Sequence, residues 1–347
     1  MDEAEVLERL VRRYSPSGRE APAVREFVRV ARTLGYSART DAAGNGIACR
    51  GRGRPRLWFL GHIDTVEGRL PVRRRAARLY GRGTVDAKGP LAAALVAGSE
   101  FAAPGEYVVV AAVGEEADSR GARHLLRRAR ADAVIAGEPS GWDGVTIGYK
   151  GELQVELLFR GDRSHYSSPF PTTVDRALDW VGSVRTLVAG RPKDSAFRSL
   201  TAKVVALDSE RLGDHESARV IVDFRLPPSL STSELLRSLP RAPGATAPRV
   251  RIRVEPLEVD RTNPVVASLI EGVRSAGGVP TLWRKGGTSD LNLVVPAWGV
   301  PGAAYGPGEA RLDHTDRESV SLVELRRSVV VLRAALARWR ASVPPLR

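Results

Sequence analysis

Three short apolar runs in the first half of the chain, RLWFL at 56 to 60, YVVVAAV at 107 to 113 and AVIAG at 133 to 137, are separated by the helix-like stretches PLAAALVAGSEF and SRGARHLLRRA. Runs this short and this apolar read as buried strands, and strands that alternate with helices fold most simply as an α/β layer with a largely parallel sheet. Each run also ends in acid or histidine: GHIDT follows the first, GEEAD the second and Glu138 the third. Open α/β sheets bind ligands at the carboxyl ends of their strands, so the topology gathers His62, Asp64, Glu115, Glu116 and Glu138 toward one place.

The pattern changes after GYKG at 148 to 151. ELQVELLFRG alternates polar and apolar residues, a helical pattern runs from about Thr173 to Ala189, and ARVIVDFRLPP and PRVRIRVEPLEV read as further strands. This is the signature of a smaller α+β domain with one exposed sheet face. From Asn263 the chain returns to a helix, then to apolar runs within LVVPAWGVPGAAYG, and to a last helix, SLVELRRSVVVLRAALARWR. The sequence therefore predicts a discontinuous catalytic domain, residues 1 to 149 with 262 to 347, interrupted by an inserted domain, residues 150 to 261. Two domains also suit a length of 347 residues.

The opening MDEAEVLERLVRRY is an amphipathic helix rather than an export signal, and no apolar stretch approaches the ~20 residues of a membrane span. Cys49, the single cysteine, allows neither an intrachain disulfide nor a thiolate metal site. A cytoplasmic enzyme without membrane contact is expected. The net charge is +13, and only five of the 53 basic residues are lysines. Such a field favours acidic partners. Nucleic acid is not expected among them, because the arginines are scattered and aromatic residues make up only 6% of the chain. One Met, one Cys, one Gln and three Asn point to a thermophilic source, although the poverty in lysine runs against that signal.

Taken singly, each polar cluster has an ordinary reading. A His-x-Asp pair such as His62 and Asp64 is commonly a hydrogen-bonded surface or core pair, but an extended segment places both side chains on one face, where the carboxylate orients the imidazole for a metal. Asp86, in YGRGTVDAKGPLAAAL, sits at the mouth of a helix, where it or Thr84 is a candidate N-cap. The surrounding glycines match neither common phosphate-binding fingerprint. His314, in EARLDHTDRE, follows an apolar run in the returning half of the same domain. Together the two histidines and several carboxylates, without thiolates, suit a pair of divalent ions such as zinc, cobalt or manganese. Two such ions ~3.5 to 4 Å apart share a carboxylate and a nucleophilic water, and the water needs a base beside it. On an extended strand end, Glu115 and Glu116 point different ways, so one is free to ligate while the other acts as base.

The stretches GHIDTV, GRGTVDAKGP, GEEADSRGA, GEPSG, RSHYSSP and LDHTDRE, in this order over most of the chain, resemble the M20 family of dizinc aminoacylases and deacylases. The resemblance implies a zinc-peptidase-like α/β catalytic domain with an inserted α+β dimerisation or lid domain, and two zinc ions per subunit, with cobalt as a possible substitute. It makes His62 and Glu138 ligands of one ion, Glu116 and His314 ligands of the other, and Asp86 the bridge. Asp64 orients His62, Glu115 is the general base, and His165 reaches the partner's active site in a homodimer.

Within the family, GEPSGWDGVTIGYKG, GGTSDLN and YGPGEARLDHT are most similar to hydrolases that release lysine or ornithine from an acidic amino-group carrier protein in lysine and arginine biosynthesis. Deacylases of acetylornithine or succinyl-diaminopimelate, and dipeptidases, are the alternative within the same family. Arg225 is a candidate for a substrate carboxylate, and Ser289 and Asp290 for the substrate side chain, with Asp290 facing its ammonium. Many relatives carry an asparagine shortly before Asp223 that this chain lacks. His124 and His215 read as surface or capping residues, and Lys88 and Lys150 have no assigned part.

Overall fold

The computed structural model describes residues 1–102, 104–163, 165 and 167–342. The chain divides into two compact units. One consists of Met1–Gly148, Val259–Arg284 and Ser289–Arg347, and the other of Tyr149–Glu258 with the short return Lys285–Thr288.

In the first unit the strands Ser37–Thr40, Gly46–Arg52, Gly105–Ala112, Arg56–His62, Ala133–Gly137, Gly302–Ala304 and Gly144–Tyr149 lie side by side in that order. The central four are mutually parallel, and the flanking strands join antiparallel, so the sheet is mixed with a parallel centre. The central strands are buried on both faces, which is why their sequences are nearly unbroken apolar runs.

The helix Lys88–Gly98 is buried along its whole length. Its sequence, KGPLAAALVAG, is apolar all round, and such a helix belongs inside a core rather than on it. It packs between the strands Arg56–His62 and Gly105–Ala112 and the outer helices Glu3–Val11 and Leu322–Ser342. Small residues permit the close approach: a Cβ on Gly61 would lie 2.8 Å from Cδ2 of Leu91. The position of this helix matters for function, because the turn that precedes it carries Asp86.

The second unit is an antiparallel sheet of the strands Thr201–Leu212, His215–Leu226, Gly151–Asp162 and Arg249–Val254, in that order. Leu153, Val155, Leu157, Phe159, Val220, Val222 and Phe224 pack under the helix Thr173–Ala189 through Ala177, Trp180 and Val184. That helix begins at Thr172 with a capping box, its hydroxyl and the Asp175 carboxylate exchanging bonds with each other's backbone N–H. No helix among the described residues is long and apolar enough to cross a membrane.

The contact between Gly61 and Leu91 yields a stability test. Leu91→Ala should cost ~2–5 kcal/mol through the cavity it leaves, and Gly61→Ala ~1–3 kcal/mol through overpacking. The double variant should lose less than the sum, because the new methyl fills vacated space. Denaturant unfolding of the metal-free proteins reads this out, and simple additivity would show that the two sites do not share that space.

Candidate metal centre

The strand Arg56–His62 ends at His62, and the chain runs on beside the neighbouring strand, the Ile63 N–H bonding the Ala112 carbonyl at 2.8 Å, to Asp64, with Asp64 and His62 both buried. Asp64 accepts three hydrogen bonds: Oδ1 from the N–H of Glu115 at 3.2 Å, and Oδ2 from the N–H of Glu116 at 3.1 Å and from the Ser17 hydroxyl at 2.7 Å. Nδ1 of His62 lies 3.1 Å from the Asp64 carbonyl oxygen and 3.5 Å from Oδ1. One carboxylate therefore ties the end of the first strand to the loop after the second.

That loop departs from the extended segment anticipated for Glu115 and Glu116. The strand stops at Ala112, and residues 115 to 118 form a turn. Gly114, at φ +75°, reverses the chain, and its carbonyl accepts the N–H groups of Ala117, Asp118 and Ser119. The two glutamates diverge because the turn rotates successive residues, not because of strand alternation. Asn45 closes the base of the loop: Oδ1 accepts the Val113 N–H at 3.0 Å, while Nδ2 donates to Asp41 Oδ2 at 2.8 Å and to the Gly121 carbonyl at 3.2 Å. A Cβ on Gly121 would come within 2.3 Å of that Asn45 oxygen.

Asp86 stands between the two histidines. His62 Nε2 lies 2.9 Å from Asp86 Oδ1, and His314 Nε2 lies 3.4 Å from Oδ2 and 2.9 Å from Glu116 Oε1. The N-cap of the following helix is Ala87, with no side-chain cap bond, and Thr84 turns its hydroxyl to the Gly81 carbonyl, so neither expected capping role is filled. His314 has φ +55°, a left-handed conformation uncommon for a residue with a side chain and concentrated at functional sites.

Two sets of donor atoms result, His62 with Asp86 and Glu138, and Asp86 with Glu116 and His314, each lying within 4.8 Å of one another and sharing Asp86. Imidazole nitrogen and carboxylate oxygen without sulfur suit a borderline or hard divalent ion. The charge balance agrees, because buried carboxylates outnumber imidazoles here. Burial pushes the Glu115 carboxyl well above its ordinary range; His62 opposes this, and the neighbouring carboxylates of Glu138, Asp290 and Glu116 add to it. Burial disfavours a charge on His62, yet Glu115, Asp64 and Asp86 hold it well above its usual value. Hydrogen bonds to Asp86 and Glu116 push His314 up to about 10 against a smaller effect of burial. Burial disfavours the charges of Asp86 and Asp64, yet hydrogen bonds from His314 and His62 to Asp86, and from His62 to Asp64, hold both carboxyls below their ordinary range. Histidines held toward their charged form beside a buried glutamate pushed toward its neutral one mark a site short of positive charge, which bound cations supply.

The remaining candidates fall in two places. Asp290 is buried at the N-cap position of the helix Leu291–Trp298, with its side chain making no cap bond and Oδ1 left without a hydrogen-bond partner. Burial raises its carboxyl to about 6, opposed by the Ser119 hydroxyl and His62. The Ser289 hydroxyl accepts the N–H of Leu291 at 3.2 Å. Arg225 lies in the second unit, paired with its own chain: Nε bonds Asp223 Oδ2 at 2.9 Å, and Nη1 lies 3.1 Å from Glu152 Oε2. His165 is exposed, with Nδ1 2.7 Å from the Ser167 hydroxyl; residues 164 and 166 of the same motif lie outside the described residues. His215 pairs with Asp162 at the surface, His124 lies 4.0 Å from Asp41, Lys88 donates to the Arg13 carbonyl and Lys150 to that of Ser199. Residues 58–338 match the peptidase family M20/M25/M40.

The chain belongs to the M20 family. A putative LysW-lysine/LysW-ornithine hydrolase of Thermococcus kodakarensis is 37% identical to it over 331 residues, covering 95% of this chain and 90% of that one. The LysW-lysine hydrolase of Deinococcus radiodurans is 37% identical over 350 residues and covers 96% of both chains. Among solved structures, an M20 metallo-carboxypeptidase of Sulfolobus solfataricus superposes with a TM-score of 0.77 at 18% identity, over 98% of this chain and all of its own. Aminopeptidase PepT of Bacillus cereus does so at 0.75 and 18%, covering 97% of this chain and 98% of its own. The chain is thus an amide hydrolase of a metal-dependent family.

Asp64→Asn tests the tie beneath the site. An amide has one acceptor oxygen, so one of the two glutamate N–H groups loses its partner. Metal affinity, read by chelator competition, should fall ~10–100-fold, the usual cost of losing a group that orients a ligand. Unchanged affinity would show that the glutamate loop holds its place without Asp64.

Proposed function

We propose that this chain hydrolyses the amide joining the α-amino group of lysine or ornithine to the side-chain carboxyl of a carrier protein's C-terminal glutamate. The names of relatives 37% identical over nearly the whole chain support this reading, as do two donor sets that share Asp86 with Glu115 beside them. In this proposal two divalent ions, zinc or in its place cobalt, bind each subunit. His62, Asp86 and Glu138 hold one, and Asp86, Glu116 and His314 the other. Bound there, such ions acidify water and polarise a carbonyl.

The chain's own residues do the rest. Glu115 stands outside both donor sets, 4.0 Å from His62 Nε2, and burial raises its proton affinity, as a group that must accept a proton requires. It takes the proton of the attacking water and delivers it to the departing α-amino group. Asp290, with an unpartnered buried oxygen, accepts the ammonium of the lysine or ornithine side chain. The net charge of +13 draws in an acidic carrier.

Arg225, held through Nε by Asp223 and through Nη1 by Glu152, serves the substrate carboxylate. The unit carrying it, Tyr149–Glu258 with Lys285–Thr288, acts as the dimerisation or lid domain. The strand Thr201–Leu212 is an outer strand of its sheet, with Val204, Val205, Leu207 and Leu212 exposed. An edge of that kind pairs readily with another chain, and a second copy gives a homodimer in which His165 serves the partner's site. The enzyme works in the cytoplasm.

Glu115→Gln should retain its metal and lose ~10²-fold or more of its rate on a carrier-lysine adduct. Full activity would remove Glu115 from the base's role. Turnover of small N-acyl amino acids with none of the adduct would replace the carrier reading by that of a small-molecule deacylase. Asp290→Asn should abolish the preference for lysyl over neutral substrates, measured as a ratio of kcat/KM values.

A further inference from the structure

Two buried charged residues sit beside the proposed ligands without belonging to them: Glu318 is 1% exposed and Arg82 6%. Glu318 lies in the LDHTDRE segment with His314, and Arg82 in the GRGTVDAKGP segment with Asp86. Their hydrogen bonds cross between these segments. Glu318 Oε1 accepts the backbone N–H groups of Gly83 at 2.9 Å, Val85 at 3.0 Å and Asp86 at 3.3 Å. Glu318 Oε2 accepts from Arg82 Nη1 at 3.0 Å. Arg82 in turn donates from Nη1 to the carbonyl of Thr315, next to His314, at 3.1 Å, and from Nε to that of Gly68 at 2.9 Å. Each segment thus holds the other's backbone, and the residues held are Asp86 itself and the neighbour of His314.

A buried ion pair gives little net stability, because desolvation offsets the attraction, so stability alone does not account for a guanidinium and a carboxylate placed here. What the arrangement does supply is rigidity at two points. The turn before the helix Lys88–Gly98 presents its N–H groups inward, and one carboxylate oxygen gathers three of them. His314 is held in a left-handed backbone conformation that surrounding contacts must maintain.

We infer that the Arg82–Glu318 pair is a positioning device that fixes Asp86 against His314 and so sets the geometry of the donor set Asp86, Glu116 and His314. The inference rests on the two-ion reading given above. The pair touches neither substrate nor reacting atoms; it acts through the backbone of the segments that carry the ligands.

Metal-free wild type, Glu318→Ala, Glu318→Gln and Arg82→Met are titrated with Zn²⁺ or Co²⁺ against a chromogenic chelator, with thermal melting of the same metal-free samples as control. The wild type takes up two ions. In Glu318→Ala the second ion, two of whose three donors lie in the segments the pair holds, should bind ~10–100-fold more weakly, and should lose clearly more than the first, which shares only Asp86 and keeps His62 and Glu138 in place. Glu318→Gln keeps an acceptor for the turn but loses the charged partner of Arg82, and should fall between. Arg82→Met leaves Glu318 on its three N–H donors and carries the test if Glu318→Ala does not fold. Wild-type affinity for the second ion in the folded variants, even with lowered melting temperatures, would make the pair merely structural and overturn the inference. Fewer than two ions in the wild type itself would remove the two-ion reading and this role with it.

Discussion

The glutamates stand where they do because one carboxylate accepts two consecutive backbone N–H groups. A strand that ends in the interior leaves polar backbone groups without ladder partners, and these must be satisfied. At the end of the strand Gly105–Ala112 the partner is Asp64, from the neighbouring strand's extension. Because Asp64 also lies against the ring of His62, the bonds that satisfy the loop set the relation between a histidine and two carboxylates. The site follows from closing the sheet's carboxyl edge, and its acids are held by backbone rather than by one another.

Local and global charge oppose each other here. The chain carries +13, yet the centre described above is rich in acid and short of cations. Part of the arginine complement pairs with buried acids. The carboxylate of Glu26, itself buried, is met by Arg9, Arg13 and Arg29, and that of Glu20 by Arg120. Such pairs orient side chains at junctions between elements and leave the remaining arginines to shape the outer field. A strongly basic composition is therefore no guide to a basic site.

The parallel centre of the sheet was legible because apolar runs buried on both faces leave no ambiguity of period, and the acids at their ends mark one edge of that sheet. The two-stranded margin Ser37–Thr40 with Gly46–Arg52, and the strand Thr201–Leu212, were not. Edge strands alternate weakly, and TAKVVALDSERL shows polar residues on both faces because much of it meets solvent. The divergence of Glu115 and Glu116 was foreseen on the wrong grounds, since Gly114 initiates a turn that strand periodicity does not encode. The intramolecular partners of Arg225 are likewise invisible in sequence: Asp223 is two residues away, but Glu152 comes from the adjacent strand.

Asn45 was also passed over, although composition offers a reason to have noticed it. A chain with only three asparagines retains them where a side chain must serve the backbone. Asn263 caps the helix Pro264–Ser275 by accepting the Val265 N–H, and Asn292 accepts the N–H of Ser289 beside Asp290. Asn45 accepts from Val113 and donates to Gly121 and Asp41 at once. Aspartate has no hydrogen to donate to a carbonyl, and a serine is too short to span both sides of the loop while reaching Asp41. An amide is the small group that both gives and takes there, so the loop carrying Glu115 and Glu116 is fixed at its tip by an acid and at its base by an amide. A residue type that a sequence otherwise avoids is thereby a pointer to backbone junctions, and here one such junction lies directly under the chemistry.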